Sequence, residues 1–165
     1  MCDTRFYFFD PSQPVGHLSG NLPHWRQSGV RYFVTFRLAD SIPQIKLRQW
    51  QEEKELWLKR NPEPHTPEQI REFWELFPER FHRWLDAGYG SCILKRPDVT
   101  ELLDGVLRHF NGERYELGAY VVMPNHVHAV VAPLQGGELS SILHSWKSYS
   151  ANKINALVGR KGNLW

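Results

Sequence analysis

His126-Val127-His128 is the segment whose residue types and spacing are best suited to chemistry. It opens a β-branched, apolar run ending at Pro133, which reads as a strand. Residues i and i+2 of a strand leave the same face, so both imidazoles project together while Val127 turns into the core. Two adjacent imidazoles can grip a divalent transition metal, or join carboxylates around Mn2+ or Mg2+. The plainer alternative is a pair of exposed histidines on a sheet face.

A second set of candidates lies further along. Between Leu139 and Trp165 there is no Asp or Glu, while Lys147, Lys153, Arg160 and Lys161 are all cationic. On a chain of net charge +2, such an acid-free stretch points to a local polyanion site. Lys147 and Lys153 are expected close to a shared flank of one helix. Arg160-Lys161 sit in a glycine-flanked loop that lets a phosphate backbone approach closely. Ordinary solvent-facing cations are the alternative. Tyr149 is the tyrosine best placed to act as a nucleophile, yet it falls on an apolar stripe with Ile142 and Trp146, the usual setting of a core ring with its hydroxyl at the rim. Asn125 is expected to shape the turn before the histidine strand. His82, His109 and His144 lie in helical stretches and receive no role.

The elements that must hold these groups follow from periodicity and breakers. Arg31 to Leu38 reads as a buried strand. Ile45 to Arg60 reads as a helix with Leu47, Trp50, Leu56 and Trp57 as its apolar members, broken by Asn61-Pro62-Glu63-Pro64. Thr66 caps a second helix with Pro67 at its first position, and Ile70, Phe73, Trp74 and Phe77 form its stripe before Pro78. The helical pattern resumes to about Asp86, making residues 45–86 a helical insert. A helix then runs from about Pro97 to Phe110, strands from Arg114 to Met123 and His126 to Pro133, and a last helix from Glu138 to Val158. The short Pro124-Asn125 link makes the two strands an antiparallel hairpin. Without the insert the order is β-α-β-β-α. That is an α+β chain with most of a ferredoxin-like split β-α-β unit: an antiparallel sheet with helices on one face, still lacking a final strand.

The whole chain sets outer limits. Its 165 residues suit a single domain with a substantial core, and residues 1–30 read as a loosely structured arm. Cys2 and Cys92 form no disulfide framework. No apolar run spans a membrane, and Met1 to Phe6 lacks the order of a signal peptide. The expected setting is the cytoplasm, with no membrane partner.

Tyr120-Val121-Val122-Met123-Pro124-Asn125-His126-Val127-His128, followed by a Leu-containing helix with Trp146-Lys147-Ser148, resembles the REP-associated tyrosine transposases and their insertion-sequence relatives, which are single-tyrosine HUH enzymes. Tyr32 to Leu38 is similar to that family's first strand. Gly90, Leu94, Arg96-Pro97, Asn111 to Tyr115 and Gly159 to Trp165 are similar to later segments, and His24 falls in a family-like stretch that places it near DNA. The resemblance covers roughly residues 22–165, and Met-Pro-Asn-His-Val-His is its most specific part.

The resemblance implies that His126 and His128 bind Mg2+ or Mn2+ and that the partner is single-stranded DNA carrying hairpins. It implies strand cleavage and rejoining through a 5′-phosphotyrosine, with a possible homodimer. A phenol with a pKa near 10 is a weak nucleophile at neutral pH, and the metal offsets this by drawing charge from the phosphodiester. In the family the nucleophilic tyrosine and a third metal ligand lie on a helix beyond the Gly-Arg-x-Gly-x-x-Trp segment, at which this sequence ends. The expectation is therefore a C-terminally shortened member that binds DNA without cleaving it, Tyr149 being the substitute nucleophile to test. Two other classes remain open. One is a non-catalytic nucleic-acid-binding module retaining the fold, and the other is a metal-dependent hydrolase with no nucleic acid.

Overall fold

A computed structural model describes residues 16–18, 24–26, 30–134 and 137–165; Cys2 and most of the expected N-terminal arm lie outside the described residues. The arm contains regular structure: β1 (Gly16–Leu18) pairs antiparallel with β2 (His24–Arg26). The main sheet comprises β3 (Tyr32–Arg37), β4 (Tyr115–Val122) and β5 (His126–Pro133) in the order β3-β5-β4, antiparallel throughout. β3 and β4 thus run parallel with β5 between them, which is the split β-α-β arrangement of an α+β fold.

α4 (Pro97–Arg108) and α5 (Leu139–Val158) cover one face of this sheet. Val34 and Phe36 of β3, with Val127, Ala129 and Val131 of β5, meet Leu103, Leu107, Ile142, Trp146 and Ile154 there. Full burial of each such side chain contributes roughly 1.5–3 kcal/mol before the cost of ordering it. Two large side chains in this layer have their polar atoms partnered. The Trp146 indole donates to the Tyr115 hydroxyl at 2.9 Å, and that hydroxyl donates to the Leu107 carbonyl at 2.7 Å.

The insert between β3 and α4 consists of α1 (Gln44–Arg60), α2 (Pro67–Trp74) and α3 (Arg80–Asp86). Thr66 caps α2 with a complete capping box to Gln69. Pro78 does not interrupt the helix as expected, because a π-helical turn, Glu75–Glu79, joins α2 to α3. A proline ring clashes with the carbonyl four residues back in a regular helix, and the wider turn relieves that conflict. The apolar stripes are only half used. Trp50, Trp57, Phe73 and Phe77 pack together, whereas Leu56, Ile70 and Trp74 are exposed. No helix among the described residues is long and apolar enough to cross a membrane.

Candidate metal centre

The second face of the sheet carries Phe33, Thr35 and Arg37 from β3 and His126, His128 and Val130 from β5, by strand alternation from the core residues between them. This face is not bare. α3 lies against its His126 end, where Phe81 meets Arg37, His82 meets His128 and Asp86 approaches His126. His126 is only 1% exposed, whereas His128 is half-buried at the open side of the pair.

The imidazoles meet edge to face, with ring centroids 4.6 Å apart and Nε2 atoms 3.0 Å apart. Their tautomers follow from the partners behind them. Asn125, itself buried, donates its amide Nδ2 to the carbonyls of Leu85 and Tyr89, both at 3.1 Å. Its Oδ1 must therefore face His126 Nδ1 at 2.8 Å, so Nδ1 carries the proton and Nε2 presents a lone pair. Thr35 Oγ1 stands 2.8 Å from His128 Nδ1, directly across the β3–β5 ladder. A hydroxyl can donate or accept there. Either His128 Nε2 gives a proton to His126 Nε2, or Thr35 accepts from Nδ1 and both Nε2 lone pairs converge. The second state suits a cation between the rings, with Asn125 and Thr35 fixing ring orientation from behind. The residues present therefore fit a divalent metal.

Burial pushes the His126 imidazole below its ordinary pKa, the neighbouring His128 adds to this, and Asp86 opposes it. His128 is lowered by burial first and then by His82, again with Asp86 opposing. Both shifts favour the neutral rings that metal coordination requires.

The turn after α3 holds that helix in place. Gly90 has φ +86°, and a Cβ there would stand 2.4 Å from the Asp40 carbonyl oxygen. The Asp40 carboxylate accepts from the Ser91 amide at 2.9 Å. Asn125 therefore does more than shape a turn, since it ties the insert to the histidine strand.

The other sequence-derived candidates lie elsewhere. Tyr149 is on α5, and the sheet stands between it and the imidazoles of the same chain. Its expected place on the buried stripe is a correction: that stripe runs Ile142, Trp146, Ser150 and Ile154, and Tyr149 is 55% exposed. It lines a groove of about 530 Å³ between α4 and α5 with Leu102, Phe110 and Lys153. Lys147 and Lys153 do not share a flank, because six residues at 3.6 per turn set them about 120° apart. Lys153 lies over the Tyr149 ring at 5.5 Å, while Lys147 is half-buried. Arg160 and the exposed Lys161 follow Gly159, whose φ of +66° ends α5. Beyond them, the Leu164 carbonyl accepts from Ala39, next to the Leu38–Asn125 backbone bond, at the end of the sheet where His126 begins its strand. His24 lies in β2, and its side chain is outside the described residues.

Sequence reasoning missed Thr35, Phe33, His82 and Asp86. The first two were detectable as alternate residues of β3 opposite the pair. The last two stand one helical turn apart on α3, a spacing visible in the sequence, but nothing local says which surface that turn faces.

Fold and site together define an α+β protein of split β-α-β topology with a paired-imidazole centre on the outer sheet face. Residues 87–165, just under half of the chain, match the family described as "Transposase IS200 like". The matched stretch holds α4, the β4–β5 hairpin with both histidines, and α5; β3 and the insert precede it. No curated protein and no solved structure matches the chain.

Proposed function

We propose that this protein is a transposase acting on hairpin-forming single-stranded DNA, with His126 and His128 holding Mg2+ or Mn2+ at the scissile phosphate. The observation that carries the reading is the pair of Nε2 atoms 3.0 Å apart, braced from behind and lying inside the stretch similar to IS200-like transposases. When bound, the metal would supply Lewis-acid polarisation of a phosphodiester oxygen.

The chain's own residues do the rest. Asn125 and Thr35 brace both rings from behind, so their orientation is set before a phosphate arrives. Phe33 stacks on His128, with ring centroids 5.3 Å apart and planes 20° from parallel, yet is 67% exposed. An exposed aromatic beside a phosphate site can stack an unpaired base, which favours single-stranded substrate. Arg160 and Lys161, in the loop after α5, are the candidates for contacts to the DNA phosphates, with Lys147 and Lys153 on separate flanks of α5 as further cations. Transfer by this class of chemistry passes through a 5′-phosphotyrosine and a free 3′-hydroxyl, which conserves the phosphoester bond for rejoining.

The test is labelled hairpin-bearing single-stranded DNA incubated with the protein and Mn2+, resolved on native and denaturing gels. Retention of the hairpin in preference to the matching duplex supports the DNA reading. A covalent adduct, mapped by mass spectrometry, identifies the tyrosine used, with Tyr149 as the position to inspect first. No preference for the hairpin over duplex, with no adduct, would overturn the proposal. Hairpin retention without adduct under every metal condition favours the second reading, a nucleic-acid-binding module that retains the fold.

A further inference from the structure

The histidine pair is an incomplete ligand set by charge as well as by number. Two neutral imidazoles leave the full charge of a divalent ion uncompensated, and Mg2+ and Mn2+ prefer anionic oxygen ligands. The insert brings such an oxygen to the site. Asp86, the last residue of α3, places Oδ1 3.9 Å from His126 Nε2.

We propose that Asp86 is a third protein ligand, so that the insert, which precedes the stretch similar to transposases, completes the metal centre. This rests on the metal-binding reading above. Ligands about 2.1 Å from one ion stand about 3.0 Å apart at a right angle and about 4.2 Å apart when opposite. The separations of 3.0 Å between the two Nε2 atoms and 3.9 Å from His126 to Asp86 both fall in that range. Among the described residues no three such groups already form a ready set. The Asp86 side chain is 64% exposed, however, so no packing holds it in its present rotamer. The end of the helix is held beside the histidines, the preceding residue, Leu85, being buried with its carbonyl bonded to Asn125. His82, one turn earlier, is the competing candidate, its ring centroid 5.9 Å from that of His128. The resulting two-histidine, one-carboxylate set leaves positions open for phosphate oxygens and water.

Direct Mn2+ titration of the intact protein, read by the loss of the free-ion electron paramagnetic resonance signal, tests this without any activity assay. The variants are Asp86→Ala, Asp86→Asn, His82→Ala and a His126→Ala, His128→Ala double change. Asp86→Ala is expected to bind at least about tenfold more weakly, with Asp86→Asn intermediate and His82→Ala within about twofold of the parent. Asp86 is exposed, so circular dichroism should show both of its variants folded. Parent-like affinity in Asp86→Ala, with binding lost in the histidine double variant, overturns the inference and leaves the histidine site standing. A tenfold loss in His82→Ala with none in Asp86→Ala overturns it in favour of His82. Parent-like affinity in the double variant removes the metal reading and this inference together.

Discussion

Replacing Asn125 with alanine tests the link between the insert and the histidine strand. The side chain is 1% exposed and makes three hydrogen bonds: to the carbonyls of Leu85 and Tyr89 and to His126 Nδ1. A buried hydrogen bond is worth about 1 kcal/mol net, and a partner left unsatisfied costs about 1–3 kcal/mol. Tyr89 is exposed enough for water to replace its lost bond, while Leu85 and His126 are not. The expected loss is therefore about 3 kcal/mol, or about 6–12 °C in Tm for a chain of this size. The assay is denaturant unfolding of the metal-free protein in chelator, so that ion binding contributes nothing. Thr35→Val is the comparison. It removes one bond to His128 at an exposed position and should cost about 1 kcal/mol or less. An Asn125→Ala protein within about 0.5 kcal/mol of the parent would show that the three bonds do not hold α3 to the sheet. Nor would Asn125 then fix the tautomer of His126.

Three further outcomes are expected. Phe33→Ala should weaken binding of hairpin-bearing single-stranded DNA by about 1–3 kcal/mol, the range for one stacked base, with little change for duplex; equal loss on both would show that Phe33 is no stacking platform. A Lys147→Ala, Arg160→Ala double variant should bind the hairpin more weakly and with a shallower salt dependence, and unchanged affinity at every salt concentration would rule out phosphate contacts there. Stability of the metal-free protein should fall as pH drops below about 6.5, the ordinary histidine value. His126 and His128 are held below that value in the fold, so the unfolded chain binds more protons over that window, and acid favours unfolding. Unfolding free energies that rise on going from about pH 7.5 to about pH 5.5, or a slope unaltered by His126→Gln, would contradict this.

The sequence made the histidine strand legible because its information is local. Alternation alone puts His126 and His128 on one face and Val127, Ala129 and Val131 on the other, and the β4–β5 hairpin follows from a two-residue link. Thr66 and Pro67 likewise announce α2 without reference to anything distant. Errors arose where a residue's role depends on what lies across from it. Pro78 reads as a breaker because the sequence does not reveal that a widened turn can absorb it. Tyr149 reads as part of the core stripe, but α5 is rotated so that Ser150 points inward, taking the Trp165 indole at 2.9 Å, and Tyr149 faces outward.

The insert is the least locally determined part of the site. An i, i+4 pair such as His82 and Asp86 specifies a helical face but not its destination. That destination is set by contacts about forty residues apart along the chain, between the buried Asn125 amide and the carbonyls of Leu85 and Tyr89, and by the tight passage of Gly90 past Asp40. Asn125 is thus the residue through which local and distant information meet. One end of its amide selects the tautomer of His126, and the other selects which face of α3 the histidines see. If both follow from one side chain, the orientation of His126 and the docking of the insert are coupled: a substitution of Asn125 that frees α3 must also loosen that imidazole.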